Sequence, residues 1–284
     1  MQVRGLTESL ARVIKAYILK TLRRELPRHR RNPIIRFARR AAQVTYRLIE
    51  NDNYNIRENG EERVLVLVAK HLEVATVFDV GANVGEYAAV ATELFPLAAI
   101  HAFEPVEPAY AILSRRFAGT PRVQPHHFGL SDKDASVNFS VRPDDLTNST
   151  SHPEASRLLN PHRARITVAC TLRRSGDAAE EIGVSTIDLL KIDTEGNDWF
   201  VLDGFSDWLK AGRIKVIQFE YGMTCIFTKK LLADHYGILR DSGYVVGKIY
   251  PTYVDFRPYD PFDEDFIGPN YLAVHESTGL QSVL

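Results

Sequence analysis

The run Val77-Phe78-Asp79-Val80-Gly81-Ala82-Asn83-Val84-Gly85-Glu86-Tyr87 constrains the fold more than any other stretch of this chain. An apolar run that meets a glycine turn and then a helical pattern predicts a strand feeding straight into a helix. Gly81 permits a tight turn and close approach of a ligand to the backbone, and Gly85 lets the helix begin close to the strand. A second apolar run, 98–103, stops at Glu104, nineteen residues beyond Gly85, and Pro105 fixes the turn after it.

The alternation continues along the chain. Residues 74–80, 98–103, 123–128, 189–193, 216–221, 244–249 and 271–275 read as strands. Helical patterns fall at 86–94, 108–117, 199–209 and 230–242. Residues 135–141 and 165–171 alternate and suit an antiparallel pair, with a polar loop, 142–164, between them. Strand–helix alternation predicts an α/β fold, a doubly wound and mostly parallel sheet covered on both faces. Ligands of such sheets bind beyond the carboxyl ends of the strands.

Strand, glycine turn, helix, strand and terminal acid, in this order, point to an adenosine site. A carboxylate at Glu104 can accept both hydroxyls of a ribose. Asp79 can accept from an ammonium group or a bridging water. The spacing is Gly-x-x-x-Gly rather than the Gly-x-Gly-x-x-Gly of nicotinamide dinucleotide sites. Glu86 would also place a like charge where a pyrophosphate sits at a helix N-terminus. S-adenosylmethionine has a ribose and an ammonium but no phosphate, so it suits Asp79, Glu86 and Glu104 better. An NAD-dependent oxidoreductase and a catalytically silent adenosine-binding module are the alternatives.

Asp79-Val80-Gly81-Ala82-Asn83-Val84-Gly85 resembles the first motif of the FkbM family of S-adenosylmethionine-dependent methyltransferases, and Phe103-Glu104-Pro105 is similar to its second. Gly129-Leu130-Ser131-Asp132 resembles the segment after the third strand, and Asp188-Leu189-Leu190-Lys191-Ile192-Asp193-Thr194-Glu195-Gly196 the most distinctive motif. Phe219-Glu220-Tyr221 and Asn270-Tyr271-Leu272-Ala273 fit the later strands. The resemblance spans about residues 50–276. It implies a class I, Rossmann-like, seven-stranded sheet with the last strand antiparallel, and O-methylation, often of sugar or polyketide-type hydroxyls. It also implies that Asp79, Gly81, Asn83 and Gly85 line the methionine end, that Glu104 holds the ribose, and that Ser131 and Asp132 lie near the adenine. Where many members have Thr-Leu-Asp before the fourth strand, this chain has Thr171-Leu172-Arg173.

An aliphatic hydroxyl is a poor nucleophile, and a base that takes its proton contributes about 10²–10⁴-fold. Asp193 and Glu195 end the fourth strand and Glu220 the fifth, so these three carboxylates are the candidate catalytic residues. The same acids can instead hold Mg²⁺, which prefers oxygen ligands. His126 and His127 could flank the adenine. His152, His162 and the stretch Asn148-Ser149-Thr150-Ser151 could reach an acceptor. Cys225 has no evident base partner, so a thiol nucleophile is not expected.

Charge is distributed unevenly. Residues 1–47 carry thirteen Lys or Arg against Glu8 and Glu25, a net +11, which leaves −12 for the remainder. Leu10, Val13, Ile14, Tyr17, Ile18 and Leu22 form one apolar stripe on a predicted helix, with a second helical pattern from Ile34 to Ile49. The segment reads as a packed helical cap, as a helix on an anionic membrane surface, or as a nucleic-acid arm. No aromatic-studded basic stretch supports base stacking, so no nucleic-acid partner is expected. Two cysteines are too few for a disulfide framework. No apolar run approaches the ~20 residues of a membrane span, and Lys15 and Lys20 interrupt any signal-like core. The expectation is a cytoplasmic enzyme, a helical extension over 1–50 and a methyltransferase domain over 51–284. Its partners are a small-molecule or glycan acceptor and, through residues 1–47, the inner face of a membrane.

Overall fold

The computed structural model describes residues 2–142, 145–152, 154, 157–158, 162, 164–268 and 270–284, with backbone alone at 2–14 and 145–148. The chain divides into two compact units, Met1–Glu50 and Asn51–Leu284.

The first unit is a pair of helices, α1 (Gln2–Arg28) and α2 (Pro33–Ile49). Asn32 caps α2 by accepting the Ile34 amide at 2.8 Å, and Pro33 occupies the first turn, where its missing N–H costs nothing. Ile34, Phe37, Ala41, Val44 and Leu48 recur on one stripe of α2 and are all exposed. Arg36, Arg39, Arg40 and Arg47 surround that stripe, and α2 contains no acid. Tyr17, Ile18 and Leu22 of α1 are exposed as well, while the side chains of Leu10, Val13 and Ile14 lie outside the described residues. Among the described residues, no helix is long and apolar enough to cross a membrane.

In the second unit α3 (Glu61–His71) is followed by β1 (Thr76–Val80), α4 (Glu86–Leu94), β2 (Ala99–Phe103), α5 (Glu107–Arg116) and β3 (Val123–His126). Next come β4 (Gly129–Ser131), β5 (Ala135–Arg142), β6 (Asp145–Thr150), β7 (Ile166–Arg174) and α6 (Ser175–Glu181). The chain continues through β8 (Ile187–Ile192), α7 (Asp198–Gly204), α8 (Ser206–Lys210) and β9 (Ile214–Glu220). It closes with α9 (Cys225–Thr228), α10 (Leu232–Arg240), β10 (Tyr244–Ile249), β11 (Val254–Phe256) and β12 (Asn270–His275).

The main sheet has the order β11-β10-β12-β9-β8-β1-β2-β3. Parallel pairing runs from β3 to β9, and β12 is antiparallel to both β9 and β10. The expected α/β architecture with an antiparallel last strand is therefore present. The sheet has eight strands rather than seven, because the three-residue β11 adds to the edge through an antiparallel pairing with β10. β8 is buried at every position, as a central strand covered on both faces must be. One core cluster packs around Phe78, Phe103, Ile192 and Phe219, the other around Val77, Ile100, Leu189 and Val216. Alternate residues of the same strands thus face opposite layers.

Residues 129–174 form a second sheet, β4-β7-β5-β6. The expected pairing of 135–141 with 165–171 appears as the β5–β7 ladder, and the polar stretch between them, expected as loop, contains β6. Its small core joins Phe139, Val141 and Leu172 to Val106. Helix α7 packs on the second sheet at Gly204, where a Cβ would lie 2.0 Å from the Ser131 carbonyl oxygen of β4. The Ser175 hydroxyl donates to that same carbonyl at 3.0 Å.

Candidate functional site

A cleft of about 510 Å³, counting its mouth, opens at the carboxyl ends of β1, β2 and β8. Gly81, Asn83 and Glu104 line one wall, Asp193 and Glu195 another, and Phe139, Ser149 and Leu172 of the second sheet a third.

The glycine turn is shaped by the strand beside it. Gly81 has φ +83°, and a Cβ there would lie 1.9 Å from the Asp193 carbonyl oxygen. The Gly81 and Ala82 amides both donate to the Phe103 carbonyl at 3.0 Å. Asn83 is also left-handed, at φ 49°. Gly85, at φ +83°, opens α4 where a side chain would strike Leu113 and Phe117.

Glu104 is buried and clasped by backbone. Its Oε2 accepts the Asn83 amide at 2.9 Å and its Oε1 the Val106 amide at 2.8 Å. Each oxygen keeps a second lone pair for a ligand. Burial, against those two hydrogen bonds, raises its pKa to about 7. Asp79 is fully enclosed; Asp79 Oδ2 and Asn83 Oδ1 are buried without a hydrogen-bond partner among the described residues. Orphaned acceptors of this kind call for a donor; Asn83 lines the cleft, whereas Asp79, 1% exposed, and Gly85 lie behind its lining rather than in it. The residues present therefore suit the adenosine and amino-acid ends of S-adenosylmethionine.

Ser131 and Asp132 do not line the cleft. β4 turns Leu130 toward it, while the Ser131 hydroxyl meets Asp132 at 3.1 Å and the Asn197 amide at 3.3 Å. Asn197 does line it and escaped the sequence reading. Its only signal was its place one residue beyond the Glu195-Gly196 turn. His126 stacks on Phe103 at 4.7 Å and His127 on Tyr110 at 4.4 Å, so neither faces the cleft. His162 is exposed. Cys225 is buried and its thiol is pushed up to about 12 by burial, as an inert cysteine would be.

Asp193, Glu195 and Glu220 converge, each offering an oxygen within 4.8 Å of the others. Glu195 sits at φ 54°, a conformation held by the Gly196 turn packed against Thr224. Asp198 ties the two strand ends together. Its Oδ2 accepts the Thr194 hydroxyl at 2.7 Å and amide at 3.2 Å, and its Oδ1 accepts the Glu220 amide at 3.1 Å. Beneath them Lys191, 5% exposed, donates to Asp193 Oδ2 at 3.0 Å. Burial works against its charge, but Asp193, Glu61 and Asp79 outweigh it and hold its pKa above the ordinary range.

That lysine splits the carboxylates. Burial disfavours the charge of Asp193, yet Lys191 and a hydrogen bond from Glu220 keep its pKa low. Glu220 has no such cation. Burial and the charges of Asp193, Glu195 and Asp198 raise it well above the carboxylate range. Of the pair, Glu220 therefore has the higher proton affinity and Asp193 the lower.

An α/β fold with a glycine turn after its first strand and a buried acid at the end of its second has the frame of a nucleotide-type ligand site at the strand ends. The family model of the methyltransferase FkbM domain matches residues 79–246, more than half of the chain. Hexuronic acid methyltransferase AglP of Haloferax volcanii is 26% identical over 73% of this chain and 85% of its own length. The 31-O-demethyl-FK506 methyltransferase FkbM of Streptomyces tacrolimicus is 31% identical over 58% of this chain and 69% of its own. Methyltransferase sdnD of Sordaria araneosa is 30% identical over 46% of this chain, which spans 60% of it. A solved FkbM methyltransferase from Methylobacillus flagellatus KT aligns with TM-score 0.44 at 16% identity, covering 72% of this chain and 44% of that one. The chain belongs to the FkbM methyltransferase family.

Burial raises Asp79 from 3.8 to about 6. The unfolded chain thus releases this proton earlier, and the unliganded fold loses stability as pH climbs through that window, by on the order of 3 kcal/mol. Asp79→Asn removes the loss. Its melting temperature without cofactor should exceed the parent's at about pH 8, with the gain fading toward about pH 4 while cofactor affinity falls. A pH-independent gain would contradict the assignment.

Proposed function

We propose that the protein transfers the methyl group of S-adenosylmethionine to a hydroxyl oxygen, that of a sugar in a glycan, glycolipid or secondary metabolite. The observation that carries this reading is the convergence of the Asp193, Glu195 and Glu220 carboxylates at the strand ends, at the cleft that Asn83 and Glu104 also line. Asp79 and Asn83 would take the amino-acid end of the cofactor, and Glu104 its ribose. The cofactor supplies a methyl group on a positively charged sulfur.

The chain's own residues position and deprotonate the acceptor. A carboxylate would take the hydroxyl proton as the acceptor oxygen gains the methyl group, and the cofactor's sulfur would keep the electron pair of the bond it gives up. Alignment of oxygen, carbon and sulfur is the larger part of the work. Glu220, with the higher proton affinity, is the better base once its own proton has left. Asp193, held ionised by Lys191, receives that proton's hydrogen bond and keeps the pair oriented. The same three acids could bind Mg²⁺, but the buried Lys191 ammonium already supplies a positive charge at Asp193. A metal-free base is the simpler reading, and activity should survive chelation.

Cofactor binding tests the first part. Glu104→Ala should weaken S-adenosylhomocysteine about tenfold or more by calorimetry, since a charged hydrogen bond contributes about 1.5–3 kcal/mol. Unchanged affinity would remove Glu104 from the site. For the second part, Asp193→Asn and Glu220→Gln should bind cofactor normally and lose methyl transfer. The parent rate should rise with pH through an ionisation above the usual carboxylate range, because a raised pKa delays formation of the base. Full turnover in both variants would contradict the carboxylate mechanism.

We further propose that residues 1–47 attach the enzyme to anionic membranes. The exposed α2 stripe ringed by four arginines supports an interfacial helix. Each cation contributes about 1 kcal/mol near such a surface, and salt weakens it. The full chain should pellet with anionic vesicles at low salt, and a version lacking residues 1–47 should not. Equal pelleting of the two would return the segment to a helical cap.

A further inference from the structure

The first unit has a cavity of its own, of about 690 Å³ counting its mouth, lined by Pro33, Arg36, Phe37, Arg39 and Arg40 of α2. The spacing explains why these residues meet. Positions 33, 36, 37 and 40 stand at i, i+3, i+4 and i+7, one stripe of a helix, and Arg39 borders it. Three guanidinium groups thus share one cavity within little more than a single helical turn.

Among the described residues, the side chains of Arg36, Arg39 and Arg40 make no ion pair and no hydrogen bond. α2 contains no acid to offer them. On α1, Glu25 is engaged by Arg24 at 2.6 Å, Arg28 at 3.5 Å and His29 at 3.8 Å. Arginines of the second unit, by contrast, meet carboxylates: Arg174 lies 2.7 Å from Asp177 and Arg257 2.6 Å from Asp263. Like charges one turn apart repel and destabilise the helix, unless an anion comes between them. An arginine donates five N–H bonds in a planar fork and accepts none. Three forks around one cavity therefore call for a compact group with several acceptor oxygens and more than one negative charge. A phosphate monoester has three terminal oxygens and a charge of about −1.5 to −2 near pH 7. A carboxylate or a phosphodiester has two free oxygens and a single charge.

We propose that Arg36, Arg39 and Arg40 form a binding site for a phosphate monoester. Phe37, in the lining, is 74% exposed, and Ile34, three residues before it, is 77% exposed. Apolar side chains open to solvent beside a phosphate site suit a lipid headgroup, whose acyl chains cover them. A soluble phosphate monoester offers the arginines the same chemistry without that cover. The site goes beyond the methyl-transfer reading and needs no part of it. It rests on the membrane reading above only for the source of the phosphate.

The test uses the full chain and phosphatidylcholine vesicles carrying either phosphatidic acid, a phosphate monoester, or phosphatidylglycerol, a diester, matched in surface potential. Co-sedimentation should favour phosphatidic acid about tenfold, the scale of one further charged hydrogen bond. A variant with Arg36→Lys, Arg39→Lys and Arg40→Lys together keeps the charge and loses the forks. It should still pellet with phosphatidylglycerol but show no preference. Calorimetry with glycerol 3-phosphate reads the soluble source. The parent protein should bind it, and the lysine variant should bind it about tenfold more weakly or less. Binding of glycerol 3-phosphate with equal pelleting on the two lipids would support the site and assign it to soluble phosphates. Equal pelleting without such binding, or a preference that survives in the lysine variant, overturns the proposal. Pelleting on neither vesicle would overturn the membrane reading instead, and glycerol 3-phosphate binding alone would then support the site or its absence overturn it.

Discussion

A single buried ammonium organises the site. Lys191 lies on β8, beside Asp79 of β1 in register and below Asp193 at its own strand's end. Glu61 of α3 completes the set, held by Gln218 at 2.7 Å and by the Asn270 side chain. A buried cation is tolerated only when it is paired. Here the pairing also decides which carboxylates ionise. Acids within reach of Lys191 share its charge, and Glu220, one strand further on, does not. The raised proton affinity of Glu220 thus follows from strand order.

The second sheet gives this charge pattern a wall. β7 brings Leu172 and β5 brings Phe139 over Glu104 and Val106, which makes that part of the cleft apolar and raises the proton affinity of Glu104. The close contact of Gly204 with the Ser131 carbonyl fixes where this sheet packs on α7. Asn197, just before α7, reaches from that joint into the cleft.

Much of the fold, and the places of the candidate residues in it, were legible because the candidates sit where strands stop. Asp79, Gly81, Glu104, Asp193 and Glu220 all fall at such ends, and periodicity located the strands to within a residue or two. The less visible parts had physical reasons to hide. β6 carries Thr147, Ser149 and Thr150, so no apolar alternation marks it. α3 opens with Glu61 and Glu62, which look like a polar turn until Glu61 is seen buried on Lys191. β11 is three residues long and paired on one side only. Ser131 was misplaced because the period of two turns Leu130, not its neighbour, toward the cleft.

The claim on which the account turns is that Glu220 is protonated near neutral pH while Asp193 is not. Infrared difference spectroscopy between the parent protein and Glu220→Gln, both saturated with S-adenosylhomocysteine, reads this without knowledge of the acceptor. A protonated-carboxyl stretch should be present at about pH 7, vanish in Glu220→Gln and persist in Glu195→Gln. Absence of that band from the parent protein, with an ionised-carboxylate signal lost in its place, would contradict the account.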